Sequence, residues 1–187
     1  ALVLGRRVHL ACHEGTLERL TAGLAVQDLD VVLSDAPVPA GLGIRAHNHR
    51  LGGSSVSWMG SRALVKRLQA RFPASLAGAP VLLPTEDTAI RRALDQWFER
   101  QNLRPLVIGE FEDYALLREF ARAGNGLIPV PDVIGGQFRD TSELAVLGSA
   151  RPVEAEFFAV TLHREIDHPA VAAICQRAGA LFARPDA

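Results

Sequence analysis

The sequence predicts an α/β fold built on parallel strands. Short apolar runs alternate with amphipathic stretches of about 10–15 residues, the pattern of βαβ units. Hydroxyl or carboxylate residues stand where several runs give way to the next helix, and such residues cap or face the positive helix start. The segment Gly109–Pro131, GEFEDYALLREFARAGNGLIPVP, shows both features at once. Val107 and Ile108 end an apolar run, and Glu112 and Asp113 sit at a helix start. Leu116, Leu117, Phe120 and Ala121 form one apolar face, Gly124 stops the helix, and Leu127 to Pro131 reads as a buried strand.

The other elements follow in order. Val8, Leu10 and Cys12 alternate with His9, Ala11 and His13 and predict a strand. Thr16 is placed to cap a helix with Leu17, Leu20 and Leu24 on its inner face. LDVVL, Leu29 to Leu33, predicts a buried parallel strand. Ile44 to Leu51 alternates again, and Val56 to Met59 leads into a helix near Arg62 to Phe72. Val81 to Leu83 predicts a strand. Thr85 is the expected cap of the next helix, with Glu86 and Asp87 in its first turn and Ile90, Leu94, Trp97 and Phe98 inward. Leu106–Gly109 and Phe157–Leu162 are further strands. His168–Phe182 is the last helix, with Pro169 at a tolerated first-turn position.

Composition excludes several classes. A chain of 187 residues with 48% hydrophobic and 22% charged side chains can bury roughly 70% of its unfolded surface. Its net charge of −1 argues against a nucleic-acid-binding module, which needs a concentrated basic face. Two cysteines, Cys12 and Cys175, suit reduced thiols, with one disulfide as the alternative, and Cys12 is expected as a small buried hydrophobe. The start ALVLGRRVHL is the reverse of a secretory signal, and no apolar run approaches the roughly 20 residues that span a bilayer. A cytoplasmic location with no membrane partner is therefore expected.

Four blocks in sequence order carry a family resemblance. The E-F-x-D-x-x-L-L-x-x-F-x-x-x-G-x-G-x-x-x-x-P run at Glu110–Pro131 closely resembles the second regulatory subdomain of LysR-type transcriptional regulators. LACHEGTLERLTAGLAVQDLDVVLSDAP, LLPTEDTAIRRALDQWFERQNLRP and EFFAVTLHREIDHPAVAAIC are similar to three further parts of that family's regulatory domain. The CHEGT, WFERQ and HPAVAAIC stretches are most similar to the family's sodium/proton-antiporter activator. The resemblance implies a periplasmic-binding-protein-like (type II) fold, two Rossmann-like lobes joined by two crossing strands. It places residues 1–56 and 153–187 in subdomain I and residues 57–152 in subdomain II. The family's first strand and most of its first helix have no counterpart here, which would leave backbone groups to be paired.

The function implied is that of an effector-sensing and oligomerisation domain of a DNA-binding regulator, activating an antiporter gene in response to sodium. DNA would be bound only through an absent N-terminal helix-turn-helix, and copies would associate as dimers or tetramers. The alternative is a stand-alone solute-binding protein for a small ligand. No enzyme activity and no cofactor are expected.

Ligands of open α/β sheets bind at the carboxyl ends of strands. The turns there supply the candidate effector residues: His13, Glu14, Gly15 and Thr16; Pro84, Thr85, Glu86 and Asp87; Phe111 and Asp113, beside Glu112. Free helix-start N–H groups suit a small carboxylate, whereas Glu14, Glu86, Asp87, Glu112 and Asp113 suit a hard cation such as sodium. The same acids also serve simply to cap their own helices. Cys12 and His13 point to opposite strand faces and make no nucleophile–base pair. His47 and His49 share a strand face but lack a third ligand for zinc, so no metal site is assigned. Gly124 and Gly126 read as a helix stop rather than a nucleotide loop, and Trp58 and Trp97 read as core.

Overall fold

The computed structural model describes residues 8–41, 44–140 and 144–182. Contacts divide the chain into two compact units, one formed by residues up to Gly53 and from Glu156, the other by Ser54–Ala155.

In the first unit, helix α1 (Leu17–Ala25) packs against strand β1 (Val32–Ser34), which pairs antiparallel with strand β6 (Ala145–Thr161) through Val32 and Val160. The expected Thr16 cap forms, its hydroxyl accepting from Arg19 N at 3.3 Å. Leu24, Val32, Val38 and Val160 form the core here, with Leu17, Leu20 and Leu29 against it. Strand β2 (His47–Gly60) begins in this unit, and Asn48 clamps Val38 by accepting from its N–H at 2.9 Å and donating to its carbonyl at 3.1 Å. Helix α6 (Pro169–Phe182) ends with Phe182 stacked on Phe157 at 5.2 Å and seated over Gly52, where any Cβ would collide with the ring.

The second unit carries the βαβ element. Strands β3 (Pro80–Pro84) and β4 (Leu106–Phe111) run parallel, joined by α3 (Ala89–Arg100). Helix α4 (Tyr114–Arg122) follows β4, and strand β5 (Ile128–Pro131) pairs antiparallel with the second half of β2. Leu127 bridges to Val81 in parallel, so β3 lies between β4 and the lead into β5. Met59, Leu82, Leu117, Ala121, Ile128 and Val130 fill the core. Beside them Trp58, Trp97 and Phe98 form a ring cluster with centroids 5.5–6.4 Å apart. Tyr114 donates its hydroxyl to Pro129 O, and burial pushes that phenol well above its ordinary pKa, so it stays a donor. Helices α2 (Arg62–Leu68) and α5 (Asp132–Asp140) complete the unit.

Hydrogen-bonding order is β1-β6-β2-β5, with β3-β4 separate. Strands β2 and β6 each run from one unit into the other, and no helix among the described residues is long and apolar enough to cross a membrane.

Five expectations are corrected. Residues 8–16 form no strand, and Leu10 is 57% exposed: its apolar alternation finds no pairing partner among the described residues. Cys12 is therefore exposed rather than buried; both cysteines are free, and partial burial pushes the Cys175 thiol upward. The Leu29–Leu33 strand shrinks to Val32–Ser34 and is antiparallel, because its neighbour is the returning strand β6. The cap of α3 is Thr88, not Thr85. The Thr88 hydroxyl accepts from Arg91 N at 3.3 Å while its N–H reaches Thr85 O at 3.2 Å, so Glu86 and Asp87 lie in a turn before the helix. The apolar face of α4 is divided: Leu117 and Ala121 are buried, whereas Leu116 and Phe120 are exposed.

Candidate functional site at the carboxyl ends of β3 and β4

Parallel pairing brings two of the three predicted turns together. Pro84 is in register with Phe111, and Thr85 N donates to Phe111 O at 3.2 Å. The turn Pro84–Asp87 thus lies beside the turn Phe111–Asp113, at the starts of α3 and α4. Pro84 is buried, Thr85 is half-buried, and Glu86 and Asp87 are exposed. The third turn, His13–Thr16, belongs to the other unit; its four residues are exposed at the start of α1.

Not every predicted oxygen is free to meet a ligand. Asp113 Oδ1 accepts from Ala115 N at 2.6 Å and Leu116 N at 3.1 Å, the local N-cap arrangement. Thr16 is likewise spent on its own helix. Phe111 leans on Phe120 at 5.0 Å and forms a wall rather than a donor. Glu14, Asp87 and Glu112 are exposed and make no side-chain hydrogen bond among the described residues. No group of three or more metal-ligating side chains occurs among the described residues.

Sequence reasoning missed the residue that organises the site. Arg91, in the first turn of α3, has a side chain only 8% exposed. Its guanidinium meets Glu110 at 2.5 Å, Asp95 at 3.0 Å and Glu86 at 3.7 Å, and donates to Pro84 O at 3.0 Å. Burial alone would lower its pKa, but hydrogen bonds to Glu110 and Asp95 and their charges outweigh it and raise it. The i,i+4 spacing of Arg91 and Asp95 was the available signal. A fixed cation therefore sits beneath the turn whose exposed members are acidic, and its charge is shared among three carboxylates.

The chain matches the LysR substrate binding domain family over residues 5–183. It belongs to that family. The transcriptional activator protein NhaR of Escherichia coli (strain K12) is 31% identical over 175 residues, covering 94% of this chain and 57% of NhaR. The NhaR of Shigella flexneri matches to the same extent. This LysR domain thus spans little more than half the length of the curated relatives it matches. Among solved structures, a LysR family regulator from Pseudomonas aeruginosa superposes with TM-score 0.68 at 15% identity, covering 92% of this chain and 59% of that one. The apo regulatory domain of HypT from Salmonella typhimurium gives 0.65 at 17%, covering 90% and 80%. The effector binding domain of QuiR, in complex with shikimate, gives 0.65 at 13%, covering 89% and 78%. These likenesses establish the fold, periplasmic-binding-protein-like α/β.

Proposed function

We propose that this LysR domain senses a small effector and transmits its binding, within a longer cytoplasmic protein, to a DNA-binding segment outside this chain, activating transcription. The observation that carries the reading is the juxtaposition of the Pro84–Asp87 and Phe111–Asp113 turns at the carboxyl ends of two parallel strands, where open α/β sheets take ligands. The effector would favour one lobe arrangement over another; a coupling of about 1–3 kcal/mol suffices to change how the DNA-binding parts are presented. On the second unit the residues offered to it are Pro84, Thr85, Glu86, Asp87 and Phe111, and on the first His13, Glu14 and Gly15, while Thr16 and Asp113 hold the starts of their own helices.

Two effector classes follow from different observations. The exposed carboxylates Glu86 and Asp87 suit sodium, with hard oxygen ligands. Arg91 beneath the turn and the helix start above it suit a small carboxylate. Thermal shift with sodium, lithium and small carboxylates separates them. An effector at 100 times its Kd stabilises by about 2.7 kcal/mol. Glu86→Gln is expected to abolish a sodium-dependent shift and to preserve or strengthen a carboxylate-dependent one. A domain stabilised by neither class removes this site from consideration.

We further propose that copies of the chain associate as dimers or tetramers through the outer side of β4 and α4. Leu106, Val107 and Ile108 on β4 are 57%, 41% and 45% exposed, and Leu116 and Phe120 on α4 are 50% and 43% exposed. So large an apolar surface beside an open strand edge calls for a covering partner. Ile108→Glu with Leu116→Glu is expected to yield monomers by light scattering while leaving the thermal transition of the monomer nearly unchanged. Unchanged oligomer mass in this variant would assign association to another surface.

A further inference from the structure

A cavity lies wholly within the first unit. It measures about 540 Å³, a volume that accommodates small organic ligands. It opens between the end of α1, the lead into β1, and the segment joining β6 to α6. Its apolar side is built by Leu24, Leu29 and Val171; Leu24 and Val171 are 1% and 3% exposed, so that side is continuous with the core. Its polar side carries the carboxylates of Asp30, Glu165 and Asp167 together with Gln27 and the imidazoles of His163 and His168, and neither lysine nor arginine lines it. None of the three carboxylates has a hydrogen bond or ion pair among the described residues. Thr161, also in the lining, is already engaged: it donates to His163 O at 2.7 Å and so accepts from His49 Nε2 at 2.8 Å, which fixes the proton on that nitrogen.

The combination selects one chemistry. An anion would meet three unneutralised carboxylates, and a bare metal ion would gain nothing from the leucine wall. We infer that this cavity is a binding site for an organic cation with a small apolar body, a primary or substituted ammonium whose hydrocarbon part packs on Leu24, Leu29 and Val171 while its charge faces Asp30, Glu165 and Asp167. It is independent of the effector site at β3 and β4.

Phenethylammonium, phenethyl alcohol and 3-phenylpropionate present a similar body with positive, neutral and negative charge. Titrated calorimetrically into the full chain, the ammonium is expected to bind at least about tenfold more tightly than the alcohol, the gain from several partly exposed charge pairs, and the carboxylate is expected not to bind. Asp30→Asn combined with Glu165→Gln and Asp167→Asn changes only exposed side chains. It should keep the ligand-free melting temperature and reduce ammonium binding to the level of the alcohol. Glu86→Gln should leave it intact. Equal binding of the three probes, no binding of the ammonium at millimolar concentration, or ammonium binding unaffected by the triple variant overturns the inference.

Discussion

Trp97→Ala is expected to lower the stability of the LysR domain by about 3–5 kcal/mol, the range for truncating a buried large aromatic residue. The Trp97 ring is 2% exposed and lies between Trp58 and Phe98, with centroids 6.4 and 5.5 Å away. Truncation opens a void that the two remaining rigid rings, Trp58 and Phe98, cannot collapse to fill. The indole also donates from Nε1 to Arg151 O at 2.9 Å, which ties α3 to β6. Trp97→Phe isolates that bond. It keeps most of the ring volume and leaves the carbonyl unpaired, so about 1–3 kcal/mol is expected. At roughly 2–4 °C per kcal/mol for a chain of this size, the alanine variant should melt some 6–20 °C lower and the phenylalanine variant visibly less. Chemical denaturation of the three proteins checks both values. Equal losses for both variants would mean that the hydrogen bond, and not ring packing, dominates.

What the sequence made legible was local. Asp113 was readable as a helix start because a carboxylate before an amphipathic run has few other roles, and the structure spends it on two N–H groups. The inward face of α3 was readable because Ile90, Leu94, Trp97 and Phe98 repeat at helical spacing, and all four are buried. Features fixed by distant contacts were not readable. Helix α5, DVIGGQFRD, carries two adjacent glycines that disfavour a helix in isolation; Gly135 is buried, and a Cβ there would come into contact with Met59 and Val130, so the helix is held by its packing on β2 and β5. The polar stretch HNHRLGGSSVSWMG read as two separate pieces. It is one 14-residue strand, β2, whose partners come from residues far along the chain. Strand β4 looked like any short apolar run, and nothing in LVIGEF distinguishes a strand covered by its own chain from one left open. At the site, residue types were chosen correctly as acidic turns, but the buried cation beneath them was invisible. An arginine at the start of an exposed helix and one folded under it read alike.

That cation gives the second large effect. Arg91→Met is expected to destabilise the domain by about 2–3 kcal/mol, below the 3–5 kcal/mol typical when one partner of a fully buried ion pair is removed. The discount follows from its partners: the Glu110 and Asp95 side chains are 43% and 47% exposed, so water can take them up once the guanidinium is gone. What water cannot easily replace is the donor to Pro84 O at 3.0 Å, which joins the end of β3 to the first turn of α3. Arg91→Lys keeps the charge but presents a single point donor where a planar fork now meets Glu110, Asp95 and Pro84 O together. It should recover only part of the loss. The same pair of variants reads the site. If a small carboxylate is the effector, Arg91→Met removes the buried positive charge beside the Pro84–Asp87 turn and leaves only Arg92, which donates to Asp87 O at 2.7 Å, so the ligand-induced thermal shift should fall at temperatures where the variant is still folded. If sodium is the effector, the loss of a competing cation beside Glu86 should leave the sodium shift in place or enlarge it. The sign of that change, measured against each variant's own ligand-free transition, therefore separates the two effector chemistries on grounds independent of the Glu86→Gln result.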